Sequence, residues 1–343
     1  MAAPTNIFVD PSINADTGAG TLGDPYGDLQ YALDTMTRDA ANGDQINIKA
    51  GTAEVLSAVL SFASYGVPAA AAPLILRGYT SAANDGGVGE VNCDGSNFID
   101  GRFFRTTHLI NLHIYAGAAS GEIIQLGIDC TVQNCEVNNA QGGGIYFHQS
   151  SNRAIGNNIY DVGGMGIHYN NSRGIIVNNF LKNGPTYNMV NAIVINSANN
   201  VIARNVISIT GDTNGIADNA FDDGSSITNN SILSSSGTGK GITIDSSSTE
   251  ALVIINNVVE GFSGTGGVGI LASSTGEVSH RISNNAVFNC TTSYTLGDNN
   301  VLTSDNEVLG STPFAKSGAD TFANRFVYFA PNDVGNVLTG ALA

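Results

Sequence analysis

Apolar residues recur along this chain in short runs, and each run is closed by a polar step centred on asparagine. Full copies are Ile155-Gly156-Asn157-Asn158-Ile159, Ile176-Val177-Asn178-Asn179-Phe180, Ile202-Ala203-Arg204-Asn205-Val206, Ile227-Thr228-Asn229-Asn230, Ile254-Ile255-Asn256-Asn257-Val258 and Ile282-Ser283-Asn284-Asn285. Weaker copies flank them at Ile110-Asn111-Leu112, Val132-Gln133-Asn134-Cys135 and Ser304-Asp305-Asn306-Glu307. Taking the second position of each step (112, 135, 158, 179, 205, 230, 257, 285 and 306), the copies lie 21 to 28 residues apart. Each copy is too short to bury its own apolar face, so it must stack on its neighbours. Short strands at this period predict a solenoid of parallel strands with side loops of variable length. Asparagine suits the corners, because it tolerates left-handed backbone and its amide can bond to the amides above and below it.

A second strand follows each corner, anchored at Ile145, Ile167, Ile193, Ile216, Ile242 and Ile270. Alternation turns these anchors inward, together with Phe147, Tyr169, Ile195 and Ile244. Tyr146, His168, Val194, Ala217, Thr243 and Leu271 then face outward. So do His148, Asn170, Asn196, Asn219, Asp245 and Ser273, two residues further along each strand.

The start of the chain differs. Residues 5–10 read as a strand. After a Gly/Asp/Pro loop, Leu29, Ala32, Leu33 and Met36 fall at helical spacing behind Asp28, a plausible N-cap. A helix laid over the first coil would cap the stack. Gly43-Asp44-Gln45-Ile46-Asn47-Ile48-Lys49-Ala50-Gly51-Thr52 then opens the coils. This order of strand, loop with Asp24-Pro25-Tyr26, helix and Gly-Asp-x-Ile-x-Ile-x-Ala-Gly-Thr resembles the N-terminal entry of the pectate-lyase-like superfamily. The resemblance runs through the asparagine coils and reaches Thr312-Pro313-Phe314 and Phe329-Ala330-Pro331. It implies an all-β, single-domain right-handed parallel β-helix with an N-terminal helical cap. The expected division is an entry strand and capping helix over 1–43, coils over 44–309 and an irregular cap or oligomer contact over 310–343. The resemblance does not imply one function, since the superfamily includes lyases, hydrolases, epimerases, adhesins and viral spikes.

Composition narrows the partners. There are 13 Lys+Arg against 29 Asp+Glu, for a formal charge of −16, which argues against nucleic acid and against an anionic membrane. Glycine, at 42 of 343 residues, fits a turn-rich β protein. Cys93, Cys130, Cys135 and Cys290 show no metal-ligand spacing and read as free thiols. The N-terminus lacks the basic and apolar regions of a Sec signal, and no stretch is long enough to span a membrane.

Two groups carry candidate chemistry. Tyr146, His148 and His168 share the outward face with Asn170. Phenol and imidazole side by side suit β-elimination from a uronic acid or the binding of a sugar ring. Such a reaction also needs a cation against the substrate carboxylate, and the nearest in sequence, Arg153 and Arg173, sit beside corners. The second group is Asp218, Asp222, Asp223 and Asp245, read as paired carboxylates for glycoside hydrolysis or as ligands for Ca²⁺. A bland reading competes with each: a polar ladder for the first, a solvated turn for the second. Cofactors are otherwise expected to be none. The resulting expectation is a non-enzymatic structural module, a phage or virus particle component (fibre, spike or decoration protein) that contacts glycans and self-associates as a homotrimer. It would be found in a virion, or outside the cell after lysis. The alternative is a polysaccharide lyase or glycoside hydrolase.

Overall fold

Each asparagine step is a corner between two strands, and its two residues do different work. The first takes left-handed backbone: φ is 52° at Asn134, 59° at Asn178, 57° at Asn229, 58° at Asn256 and 54° at Asn284. The second is buried: Asn157, Asn205 and Asn257 are 0% exposed and Asn179, Asn230 and Asn285 1%. At the copy over 155–159 the structure differs by one residue from the sequence reading. Gly156 takes the left-handed position (φ 66°) and Asn157 the buried one, so Asn158 already begins the next strand, Asn158–Val162.

The buried amides form a continuous ladder in the C-terminal half. Asn205 Oδ1 accepts from both the backbone N and the Nδ2 of Asn179, each at 3.0 Å. Asn230, Asn257 and Asn285 repeat the pattern toward Asn205, Asn230 and Asn257 at 2.9–3.0 Å. The Nδ2 groups of Asn205, Asn230, Asn257 and Asn285 also donate to a strand carbonyl of the preceding coil, as Asn230 does to Ile202 at 3.0 Å. Every amide hydrogen therefore has an acceptor where water cannot supply one. A second corner uses the same device. Asn152 Oδ1 accepts from Cys130 N, and Asn200 Oδ1 from Gly174 N, both at 2.6 Å.

This arrangement is seen in a computed structural model, which describes residues 5–13, 18–66, 72–117, 121–218, 224–235, 237–246, 252–274, 280–296, 301–304, 306–309, 327–329 and 337–339. The chain is a right-handed parallel β-helix with one short helix as its N-terminal cap. It divides into two compact units, residues 1–164 and 165–343. In the first unit, one sheet takes Thr5–Val9, Asp44–Lys49, Leu74–Tyr79, Thr107–Ile110, Thr131–Gln133 and Arg153–Ile155 in that order. The second sheet takes Glu54–Val55, Gly89–Asn92, Leu112–Tyr115, Glu136–Ala140 and Asn158–Val162. The third takes Leu60–Ser61, Ile99–Arg105, Glu122–Ile128 and Gly143–Phe147. The second unit repeats the three sheets, starting from Ile175–Val177, Phe180–Lys182 and Met165–Tyr169.

The interior follows the alternation. Ile145, Ile167, Ile193, Ile216, Ile242 and Ile270 are all 0% exposed. The helix Leu29–Thr35 buries Leu29, Ala32 and Leu33, and Asp28 accepts the Tyr31 N–H at 2.6 Å. The Leu29 N–H is taken by the Glu54 carboxylate at 3.2 Å, which ties the cap to the second sheet. The cysteines are free thiols, and burial pushes Cys93, Cys130 and Cys135 up to about 12. Val327–Phe329 and Val337–Thr339 pair antiparallel near the end of the chain. Thr312, Pro313, Phe314, Ala330 and Pro331 lie outside the described residues.

Candidate functional site

The third sheet of residues 1–164 carries charged, polar and aromatic groups around the expected pair Tyr146 and His148. Ile99, Ile124 and Ile145 stack inward in register, so Asp100, Gln125 and Tyr146 stack outward on the same three coils. Adjacent strands are about 4.8 Å apart, which sets the spacing of this column. Two residues further along the strand, the Tyr146 and His148 rings lie 3.7 Å apart at 38°. His148 Nε2 is 3.3 Å from Gln125 Oε1. Partial burial, and then the Glu122 charge, raise the pKa of Tyr146 and keep its hydroxyl protonated.

A bulge places an arginine on this face. Register runs Gly101 to Leu126 and then Arg105 to Ile128, so the strand Ile99–Arg105 carries two extra residues. The bulge turns Phe103 out to 77% exposure and sets Arg102 beside Asp100. Gly127 lets it close: a Cβ there would lie 2.0 Å from the Phe104 carbonyl oxygen and 2.8 Å from that of Arg102. Arg102 bonds Asp100 through Nε at 2.9 Å and through its Nη2 at 2.8 Å. Its guanidinium carbon lies 5.9 Å from the Phe98 ring centre and 5.7 Å from that of Phe103. Among the described residues its Nη1 has no hydrogen-bond partner. At Asp100, burial pushes the carboxyl up, but the Arg102 bonds and the charges of Arg102 and His148 outweigh it. The carboxyl is held below its ordinary range.

The two arginines nearest in sequence to His148 stand beside corners, as expected. Arg153 begins a strand of the first sheet, and Arg173 is a left-handed corner residue (φ 66°). Arg102, two coils before His148, is an arginine that does lie on this face. Sequence reasoning missed it because two extra residues break the alternation that locates the face.

Tyr146 and His148 belong to residues 1–164, and His168 and Asn170 to residues 165–343. In the latter unit, Asn196 Nδ2 lies 2.9 Å from His168 Nε2 and donates to Asn170 Oδ1 at 3.2 Å. The outward column there continues as Val194, Ala217 and Thr243, all buried and none ionisable.

Of the acidic group, the structure describes Asp218 and the backbone of Asp245. Asp218 is in register with Ile195 and Ile244, faces inward and is 1% exposed, so it is no surface carboxylate. Asp245 pairs with Ser273 within the strand Lys240–Ser246, and Asp222 and Asp223 lie outside the described residues. Among the described residues no three His, Cys, Asp or Glu side chains come together as a metal site.

Comparison with known proteins agrees with the fold. Residues 120–287 match the family described as right handed beta helix region. No curated protein matches the sequence. Among solved structures the chain is similar to the pectate lyase Pel9A, at 12% identity and a TM-score of 0.58, over 89% of this chain and 80% of that one. It is similar to XylC in its complex with xylose, at 9% identity and a TM-score of 0.56, over 92% and 88%. It is also similar to a rhamnogalacturonan lyase, at 11% identity and a TM-score of 0.55, over 99% and 96%. The chain is thus a right-handed parallel β-helix, similar in fold to these proteins. The expectation of a non-enzymatic phage or virus particle component is overturned by these likenesses. They are to lyases and a xylose-bound protein, and nothing in them points to a virion. Among the described residues no helix is long and apolar enough to cross a membrane.

Proposed function

We propose that this protein is a polysaccharide lyase that cleaves a uronate-containing glycan by β-elimination on the third-sheet face of residues 1–164. One observation carries the reading: Arg102 presents an open guanidinium edge on the face that holds the Tyr146–His148 pair. In the reaction, Arg102 lies against the substrate carboxylate and offsets the charge that develops as the neighbouring C5 proton leaves. His148 takes that proton. The electron pair left behind forms the C4–C5 double bond, the bond from C4 to the glycosidic oxygen breaks, and the Tyr146 hydroxyl protonates the departing oxygen. Asp100 holds Arg102 in place. The exposed ring of Phe103 offers a stacking surface for a sugar. The likeness in fold to proteins described as a pectate lyase and a rhamnogalacturonan lyase supports this class. It also favours a polysaccharide outside the cell as the partner.

Hydrolysis is less well supported. It needs a protonated carboxylic acid opposite a second carboxylate, whereas Asp100 is paired with Arg102 and Asp218 is buried. The test is incubation with a panel of polyuronates, following the ultraviolet absorbance of the unsaturated product. Wild type gains absorbance and His148→Ala does not. No gain on any polyuronate overturns the proposal. Self-association as a homotrimer is a separate proposal: sedimentation velocity at a trimer's mass supports it, and a monomer's mass overturns it.

A further inference from the structure

The second sheet of residues 1–164 carries another ordered constellation. Glu90, His113 and Glu136 are in register on consecutive coils, and Tyr115, Asn138 and Tyr160 form the column beside them. The residues between them, Val91, Ile114, Val137 and Ile159, are 0% exposed and face the core, so both columns face outward. The His113 and Tyr115 rings stack at 4.6 Å and 27°. Asn138, 7% exposed, organises the centre. Its Nδ2 lies 3.1 Å from His113 Nε2, 3.1 Å from Glu136 Oε1 and 2.5 Å from the Tyr160 hydroxyl. The Tyr160 hydroxyl donates to Glu136 Oε1 at 2.6 Å. Burial first, then that bond, push Tyr160 up to about 12, so it stays a donor.

The network leaves specific groups free. Among the described residues, Glu136 Oε2, His113 Nδ1 and the Tyr115 hydroxyl have no hydrogen-bond partner. A corner or a solvated strand does not need stacked rings with ordered acceptors beside them. A sugar does, because its apolar ring face packs on an aromatic ring while its hydroxyls bond at the edge. Coils about 4.8 Å apart also place successive rows near the length of one pyranose unit in an extended chain.

The geometry points to a second, non-catalytic glycan-binding face here, which takes a neutral oligosaccharide along the stacking direction of the coils. Its neutrality follows from charge. The columns hold two carboxylates, Glu90 and Glu136, and no Lys or Arg, the opposite of the Arg102 face. The two faces would thus hold different parts of a mixed polysaccharide: acidic units where elimination occurs, neutral units here.

Affinity electrophoresis through gels carrying xylan, galactan or mannan tests this, with a polyuronate gel as comparison. Wild type is slowed by at least one neutral glycan. Tyr115→Ala weakens that binding about tenfold, the loss expected of one stacking ring. Glu136→Gln, nearly isosteric, weakens it several-fold and guards against a Tyr115→Ala that fails to fold. His148→Ala binds neutral glycan as wild type does, and Tyr115→Ala keeps its turnover of short polyuronates, so this face and the lyase reading can fail separately. The inference is overturned if no neutral glycan slows the wild type, if folded variants bind as well as wild type, or if only the polyuronate gel slows it.

Discussion

Arg102 decides the chemistry proposed for this molecule, and it was not legible in the sequence. Tyr146 and His148 were, because strict alternation beside Ile145 and Phe147 places them on one outward face. Arg102 lies in Ile99–Arg105, where the bulge breaks the period that would have aligned it. Replacing Arg102 with Ala should lower kcat/KM on a polyuronate by about 100-fold or more, the loss typical of removing one charge-stabilising donor. Arg102→Lys should recover part of it, since a point charge cannot repeat the two-pronged bond to Asp100. Steady-state kinetics on the two variants separates the roles. A second residue-scale effect concerns His108. Burial, and secondarily the Arg153 charge, hold its pKa at about 4 against an ordinary 6.5. Between those values the unfolded chain takes up a proton that the folded chain refuses, so stability falls as pH drops from 6.5 to 4. Below that window this contribution no longer changes. The urea midpoint should show this slope in wild type and a smaller one in His108→Gln.

At the scale of the element, the asparagine corner was legible, but its division of labour was not. Repetition locates a corner without saying which residue enters the left-handed region and which turns inward, and so the copy at Asn157-Asn158 was read one residue late. The second corner, at Asn152 and Asn200, escaped notice because those residues follow polar loops rather than isoleucine runs. The two positions of one corner should respond differently to mutation. Asn230→Ala removes the acceptor for the backbone N and Nδ2 of Asn205 and should cost roughly 2–4 kcal/mol, since each buried group left unpaired costs about 1–3 kcal/mol. Asn229→Gly leaves the ladder intact and suits φ 57°, so its change should stay within about 1 kcal/mol. Chemical denaturation of both reads the contrast. Gly127→Ala should act on the bulge instead: its Cβ meets the Phe104 carbonyl, and relief of that clash displaces Arg102 and lowers turnover together with stability.

For the whole molecule, the sequence identifies the fold from one end of the coils to the other, because every coil repeats the same corner and the same inward anchors. Function does not repeat. The proposed site draws on three separated stretches, around Asp100–Arg102, Gln125 and Tyr146–His148, which only the stacking of coils brings together. The lack of a compact motif was therefore poor support for a non-enzymatic particle protein. A net charge of −16 does not exclude a polyanionic substrate, because Arg102 puts a local positive charge on the proposed face. The two ways of cutting such a polymer leave different ends. Elimination adds no water and leaves a double bond, whereas hydrolysis adds one water per cut. Mass spectrometry of the products from a polyuronate is the most direct test. The expected fragments carry new non-reducing ends that are unsaturated and lighter by one water than hydrolytic ends, and Arg102→Ala forms them more slowly by about 100-fold or more. Saturated, hydrated ends from the wild type, or unsaturated ends at undiminished rate from Arg102→Ala, would contradict it.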